Sequence, residues 1–187
     1  GMSLEQAHEL GYLVDSIDEV VEIFPQDVVI PENCVEDIIS VCQFTDDELK
    51  YIYDLEPYYN VKEGKDLIGQ LIMGIAPHTS GAILGRIIGF TSVKGPYGHP
   101  FYHAAKRRNC DGDIDAIIML TEGVLNFSRQ FLPRSRGGQM DAPLILTMGI
   151  NPNEIDKEAL NVETCDSYPV DFYEVTQGHK TEDGWKP

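Results

Sequence analysis

Two apolar stretches, LIGQLIMGI at residues 67–75 and AILGRIIGFTSV at residues 82–93, decide what kind of fold this chain can form. Both are short and interrupted by glycines, a pattern typical of buried strands whose backbones bend or approach closely. Residues 143–150 form another apolar run, and residues 168–176 alternate as a half-exposed strand does. From about residue 66 onward the sequence therefore predicts a sheet or barrel.

Before these strands, the sequence predicts short helices. Ser16 and Glu19 have the spacing of a capping box, in which each side chain satisfies a backbone donor in the first turn. Thr45 and Glu48 repeat that spacing. Pro31 suits a first helical position. The residues that follow it at helical spacing are Val35, Ile38, Ile39 and Cys42.

A longer helix is predicted over residues 115–132, where apolar side chains fall mostly on one stripe before Pro133 ends it. Asp115 is expected to cap this helix rather than to bind a metal. The chain thus reads as an α+β fold in three parts. Residues 1–65 form an acidic helical segment, residues 66–150 a β-rich region with its following helix, and residues 151–187 a strand with a frayed tail.

Charge is distributed unevenly along the chain. The net charge of −17 argues at first against a nucleic-acid partner. However, residues 1–70 carry 17 acidic and 3 basic side chains, whereas residues 86–136 carry 8 basic and 4 acidic ones. Positive charge is therefore concentrated in one stretch, and the acidic flanks are expected to face other proteins.

Composition excludes several classes of protein. The 4 cysteines are widely spaced without a Cys-x-x-Cys pair, which predicts reduced thiols rather than a zinc ribbon or a disulfide framework. No apolar run approaches the roughly 20 residues of a membrane span, and no secretory leader is recognised, so a cytoplasmic location is expected. His99 and His103 are one helical turn apart, but Pro100 between them favours structural roles over a metal site, and His78 is similarly ambiguous.

The motif with the clearest chemistry is NCDGD at residues 109–113, directly after Lys106-Arg107-Arg108. Two carboxylates separated by one glycine can turn onto the same point, an arrangement that suits a hard divalent cation keeping several waters and a substrate phosphate. Taken alone, Asp-Gly-Asp is most often a turn or a solvated loop.

Basic residues near this motif could contact a polyanion. Lys106, Arg107 and Arg108 would alternate faces on an extended segment, so at most two of them can reach one phosphate track. Arg134 and Arg136 precede two glycines, which lets guanidinium groups and backbone donors approach a phosphate together. A solvated turn after a helix is the alternative for these two arginines.

Longer motifs carry a resemblance to a known family. HPFYHAAKRRNCDGDIDA at residues 99–116 and LNFSRQFLPRSRGGQMDAPLILT at residues 125–147 closely resemble the catalytic region of the large subunit of the archaeal D-family DNA polymerase. APHTSGAILGRIIGFT at residues 76–91 is also similar to that family. The resemblance covers roughly residues 66–176.

This resemblance implies a double-psi β-barrel-like catalytic domain preceded by a small helical segment. It implies that Asp111, Asp113 and Asn109 line the active site, with Asp111 and Asp113 holding Mg2+, for which Mn2+ can substitute. The motif is also similar to the Asp-x-Asp-x-Asp loop of multisubunit RNA polymerases. Asn109 stands where their first aspartate would be, so one charged ligand is missing.

The implied function is replicative DNA polymerisation onto a primer 3′ end. The implied partners are primer–template DNA, a deoxynucleoside triphosphate, the remainder of the large subunit, and the small exonuclease subunit of a heterodimer. Since that large subunit is several times longer than this chain, the resemblance implies an internal piece. Only one of the two barrels that such active sites use would be present, so the isolated piece is expected to be inactive.

Two other classes of function stay open. The acidic helices could form a non-catalytic interaction module that binds the small subunit or other replication proteins. A metal-dependent phosphohydrolase with Asp111 as nucleophile is the other alternative. It is less favoured, because Asp111 does not clearly follow a buried strand and lacks a following Thr/Val motif.

Overall fold

The computed structural model describes residues 3–76, 81–106, 113–119, 126, 129–130, 145–147, 149–150 and 167–177. Helices and strands are mixed, which confirms the predicted α+β class. The helices are α1 (Leu4–Glu9), α2 (Val35–Tyr51), α3 (Pro100–Ala105) and α4 (Val170–Gln177). The strands are β1 (Asp27–Pro31), β2 (Leu71–Ile75), β3 (Gly81–Thr91), β4 (Tyr97–Gly98), β5 (Ala116–Ile118) and β6 (Ile145–Thr147).

The strands form one six-stranded sheet in the order β4-β1-β3-β2-β5, with β6 also paired to β3. β3 is the longest strand and has three partners. Its beginning pairs in parallel with β6, its end pairs in parallel with β1, and β2 pairs with it antiparallel. The outer strands β4 and β5 pair antiparallel with β1 and β2. The described part of the sheet is therefore organised around β3.

The two glycine-punctuated apolar runs become β2 and β3, as predicted. β2 begins only at Leu71 because residues 64–67 form a 3-10 turn and Gly69 follows with a positive φ of 89°. Ile72, Met73 and Ile87 of these strands are fully buried, at 0–1% exposure. Burial of such side chains stabilises a fold by about 1.5–3 kcal/mol each.

The core joins the sheet to α2. Ile38 and Cys42, at the predicted helical spacing, are buried at 7% and 0% exposure. They pack in one cluster with Val28 and Ile30 of β1, and with side chains of β2 and β3. Residues 1–65 thus supply both a strand and a helix to the core of the β-rich region. The three-part division of the chain stays a prediction.

Three expectations for the first third are wrong. Residues 27–31 form a strand, and Pro31 is its last residue and the N-cap of a 3-10 turn at residues 32–34 rather than a first helical position. Ser16 does not start a helix; its Oγ accepts a bond of 3.3 Å from the Asp18 N–H within a turn. Thr45 lies inside α2, where its hydroxyl donates to the Val41 carbonyl at 2.9 Å, so it starts no new helix.

Two expectations for the rest of the chain are also wrong. Residues 116–118 form β5 instead of the first turn of a helix, so Asp115 is not a helix cap. Helical backbone does occur further along the predicted helix, at Asn126, Arg129 and Gln130. Residues 170–177 form α4 rather than a strand, with Tyr168 stacked on Phe172 at 4.6 Å between ring centroids. β6 confirms the strand predicted within residues 143–150.

Over the part of the chain that the structure describes, no helix is both long enough and apolar enough to cross a bilayer.

Candidate functional site

The described residues bracket the aspartate segment, defined as residues 107–114. Lys106 precedes it, at the C-terminal end of α3. Asp115 follows it, immediately before β5, and Asp113 is its one described candidate ligand. The other predicted site residues lie outside the described residues, and their roles stay predictions: Asn109, Asp111, Arg107, Arg108, Arg134 and Arg136. The expected convergence of Asp111 and Asp113 lies outside them as well.

The short helix α3 leads directly into this segment. His99 caps it, since its Nδ1 accepts a bond of 3.1 Å from the Phe101 N–H. Pro100 occupies the first helical position, where its missing N–H costs no helical hydrogen bond. The helix ends at Ala105, and Lys106 caps it with an N–H that donates to the Tyr102 carbonyl at 3.2 Å. His99 therefore caps the helix that leads into the aspartate segment.

Tyr102 anchors α3 to the sheet. The residue is 2% exposed, and its hydroxyl donates to the Ile83 carbonyl at 3.4 Å. It lies so close to β2 and β3 that a Cβ on Gly74 would be 2.3 Å from its hydroxyl oxygen, and one on Gly85 2.7 Å. Burial raises the pKa of Tyr102, and the nearby Asp115 carboxylate raises it further. The phenol therefore stays neutral at physiological pH.

Lys106 and Asp115 form a buried ion pair across the aspartate segment. The Lys106 Nζ contacts the Asp115 Oδ2, and the two side chains are 1% and 15% exposed. The same ammonium lies 4.7 Å from the centroid of the Tyr102 ring, within the range of a cation–π interaction. A buried ammonium requires such partners, because removing a charge from water is costly.

This position differs from the one expected for Lys106. The sequence predicted that Lys106 contacts DNA, but its side chain faces the protein interior and pairs with Asp115. The DNA contact stays a prediction, and the burial favours an internal role. Asp115 Oδ1 is buried too, and within the described residues it has no hydrogen-bond partner.

His103 lies in the same polar environment. Burial lowers the pKa of its imidazole, the Lys106 ammonium lowers it further, and Asp115 partly opposes both. The ring is therefore neutral at physiological pH. Across the described ranges, no three His, Cys, Asp or Glu side chains are grouped so that they could hold a metal ion, and His103 therefore belongs to no such group there.

A second buried polar cluster fastens β1 to β3. Asp27, 2% exposed, accepts two bonds from Arg86, from Nε to Oδ1 at 2.9 Å and from Nη2 to Oδ2 at 2.8 Å. The Tyr12 hydroxyl also donates to Asp27 Oδ2, at 2.5 Å. Burial, followed by this hydrogen bond, raises the pKa of Tyr12 to about 12. Sequence reasoning missed this cluster, which holds the N-terminal segment on the sheet.

A shallow groove of about 370 Å3 lies between the ends of β1, β3 and β4. Its lining includes Val29, Phe90 and Tyr97, and it is mostly apolar. Of the predicted site residues that the structure describes, neither Lys106 nor Asp113 lines it.

Comparison with known proteins places the chain among the catalytic domains of DNA polymerases. Residues 1–185 match the family described as DNA polymerase II large subunit DP2, catalytic domain. The chain belongs to this family, in agreement with the resemblance in its sequence motifs.

Relatives from several archaea carry the name DNA polymerase II large subunit. The protein of Thermoplasma volcanium is 54% identical over 179 residues, which cover 96% of this chain and 16% of that protein. The Archaeoglobus fulgidus protein is 51% identical over 183 residues, covering 94% of this chain and 16% of that protein. The Methanothermobacter thermautotrophicus protein is 50% identical over 186 residues, covering 96% and 17%. The chain thus spans about a sixth of the length of these relatives.

Proposed function

We propose that this chain is the catalytic portion of a replicative DNA polymerase, which adds deoxynucleotides to a primer 3′ end by magnesium-dependent nucleotidyl transfer. The observation that carries the proposal is the family match over residues 1–185, which includes the NCDGD motif. The two residues that flank the aspartate segment, Lys106 and Asp115, also form a buried ion pair. A catalytic segment requires such support, because reacting groups must be held in position.

The donor set fits a hard divalent cation. Asp111 and Asp113 offer carboxylate oxygens and Asn109 a neutral amide oxygen, which are ligands that Mg2+ accepts and Mn2+ shares. The Asp113 side chain is exposed, as suits a site where the ion keeps several waters. Bound there, Mg2+ would ease ionisation of the primer 3′ hydroxyl and offset charge on the triphosphate.

The predicted metal ligands and the predicted phosphate-binding arginines each have a role in this proposal. Asp111 and Asp113 bind the metal, and Asn109 supplies a neutral ligand or orients a metal-bound water. Arg107 and Arg108 contact phosphates of DNA or the nucleotide. Arg134 and Arg136 do the same.

We also propose that the sheet belongs to a double-psi β-barrel. Support comes from β3, which has parallel partners at both ends of its length, β6 at its beginning and β1 at its end. Such a strand can connect two parts of a closing sheet. The aspartate segment would then lie between α3 and β5, on one side of this barrel.

The complete enzyme would need more than this chain. Because the chain spans 16% of the Thermoplasma relative, we propose that the rest of the large subunit supplies a second barrel with cationic groups for the triphosphate. We further propose a heterodimer with a small exonuclease subunit. The chain alone should therefore bind DNA and metal weakly and should not extend a primer.

The test is primer extension by the full-length large subunit together with the small subunit. Asp111→Asn and Asp113→Asn should each abolish extension while DNA affinity changes by no more than a few-fold. Asp18→Asn, the same substitution at an exposed position before β1, is the matched control and should leave extension unchanged. Near-normal extension by either loop variant would refute the proposal. Phosphatase activity of the wild-type chain would favour the phosphohydrolase alternative instead.

A second candidate function, protein interaction, is favoured by the surface of α2 and the segment after it. Large apolar side chains are exposed there, among them Phe44, Tyr51 and Ile52 at 70–73% exposure. Acidic residues surround them, so a basic partner with an apolar patch, such as a small subunit, would be complementary. This function is compatible with catalysis.

This candidate can be tested by measuring subunit association. Phe44→Ser with Ile52→Ser should weaken binding of the small subunit at least tenfold, as measured by analytical ultracentrifugation. Leu13→Ser, at an apolar side chain that is 96% exposed elsewhere, is the control. Unchanged association of the double variant would exclude this surface as the docking site.

A further inference from the structure

The aspartate segment begins and ends at the same ion pair. Lys106 is the last residue before it and Asp115 the first after it, so their contact joins the two ends of a stretch of eight residues, 107–114. Asn109, Asp111 and Asp113 all lie within that stretch. The two ends are therefore fixed relative to each other by one interaction between side chains.

Both partners are in turn held by the sheet. Asp115 directly precedes β5, in which Ala116 pairs with Ile75 of β2. The Lys106 side chain passes over Gly74 of β2, since a Cβ there would be 3.0 Å from the Lys106 Cδ. The Tyr102 ring borders its ammonium. β2 thus holds Asp115 in place by pairing with β5, and it supports Lys106 because that side chain packs on Gly74.

We propose that Lys106 and Asp115 form a positioning pair, which holds the two ends of the aspartate segment so that Asp111 and Asp113 can meet one metal ion. This inference rests on the proposed function. Neither residue touches the reacting atoms in this account. They act by limiting the conformations of the segment between them, as a closed loop has far fewer conformations than an open one.

The pair has a physical reason to matter for rate. Displacing a catalytic group by about 1 Å can reduce turnover on the order of a hundredfold. Asp115 also has a buried second oxygen, Oδ1, without a hydrogen-bond donor among the described residues. It can therefore accept a bond from the aspartate segment while Oδ2 holds Lys106.

The test compares two buried ion pairs of the same sheet in the full-length polymerase. Asp115→Asn should lower kcat for primer extension at least tenfold and raise the half-saturating Mg2+ concentration several-fold, with DNA affinity nearly unchanged. Asp27→Asn breaks the Asp27–Arg86 pair, which joins β1 to β3 and includes neither end of the segment, and should lower thermal stability without either kinetic effect. Equal kinetic behaviour of the two variants would overturn the proposal.

A readout independent of activity is hydrogen–deuterium exchange. Asp115→Asn should increase amide exchange within residues 107–114 at least tenfold, whereas Asp27→Asn should not. Lys106→Met should lower kcat and increase amide exchange as Asp115→Asn does. Because the two residues act as a unit, the variant with both substitutions should lose no more activity than the less active of the two single variants. Additive losses would contradict a shared role.

If Asp115→Asn fails to fold, Lys106→Met with Asp115→Leu removes both charges and replaces them with apolar groups, a change that buried pairs often tolerate. This variant should fold and still show reduced kcat and fast exchange in residues 107–114. Normal kcat would overturn the proposal. Failure of this proposal can be distinguished from failure of the proposed function. If Asp111→Asn retains primer extension, the catalytic assignment fails. If Asp111→Asn abolishes extension but Asp115→Asn leaves it normal, only the positioning role fails.

Discussion

Replacing Gly74 with alanine should destabilise the protein strongly, because the added methyl group has no space. Its Cβ would lie 2.3 Å from the Tyr102 hydroxyl oxygen and 3.0 Å from the Lys106 Cδ. Ordinary contact needs more than 3.4 Å, so the two groups must separate by about 1 Å. Gly74 lies in β2 between β3 and β5, and Tyr102 is 2% exposed, so neither can move freely.

Overpacking in such a site typically costs 1–3 kcal/mol. We expect a loss of about 3 kcal/mol in the free energy of unfolding, at the upper end of that range, since both neighbours are buried. For a chain of this size that loss corresponds to a decrease in Tm of roughly 6–12 °C. Urea denaturation followed by circular dichroism measures the change directly.

Two further variants make this test specific. Gly81→Ala, at the start of β3, is the control, because a Cβ there meets no atom of the described residues within 4 Å. It should leave stability unchanged or raise it by about 0.4–1 kcal/mol, through the entropy of the unfolded chain. Tyr102→Phe removes the clashing oxygen, so it should recover more than half of the loss caused by Gly74→Ala. The reasoning is refuted if Gly74→Ala is no worse than Gly81→Ala, or if Tyr102→Phe gives no recovery.

Three other predictions concern the rest of the core. Asp46→Ala should lower the free energy of unfolding by about 3–4 kcal/mol in denaturant titrations, and Asp46→Asn by less, since the carboxylate accepts bonds of 2.7–2.8 Å from the backbone N–H groups of residues 58–60; equal losses would contradict a contribution from the single acceptor oxygen that asparagine keeps. The pKa of Tyr12 is raised to about 12 in the folded state, so its stabilising contribution is complete below pH 10 and is lost between pH 10 and 12. That loss should amount to about 2–3 kcal/mol and should be absent in Tyr12→Phe. If Tyr12→Phe loses as much stability between pH 10 and 12 as the wild type does, this role of Tyr12 is refuted. Burial raises the pKa of the Cys42 thiol to about 11, so at pH 8 iodoacetamide should label it far more slowly than the partly exposed Cys34, as followed by peptide mass mapping; equal labelling rates would show that Cys42 is accessible.

Local pattern was sufficient to predict the strands β2 and β3 and the buried face of α2, because their apolar spacing matches their final environment. It failed for β1. Its residues 27–31 pair with residues 86–91, so this strand is defined by a partner far away in sequence. It failed for β5 for a similar reason, since Ile117 and Ile118 suit a helical stripe as well as a strand until β2 pairs with them.

The candidate site was predictable to a different extent. The NCDGD motif predicts metal-assisted phosphoryl transfer from its residue types and spacing, and this stays a prediction because Asn109 and Asp111 lie outside the described residues. The contact of Lys106 with Asp115 was not predictable, because it depends on how the ends of the segment meet in space. Lys106 stands in a basic run, and nothing in the sequence shows that its side chain is buried.

The pairing of β3 with three strands has a consequence for how the polypeptide folds during synthesis. Residues 27–31 leave the ribosome long before residues 86–91, with which they pair, and residues 145–147 follow later still to complete the other half of the same edge. The apolar residues of β1 and α2 therefore stay exposed to water until the strands that pack against them have been synthesised. Contacts so distant along the chain slow folding. We expect the nascent chain to depend on chaperones until β3 has emerged, with the sheet closing only after translation has passed residue 147.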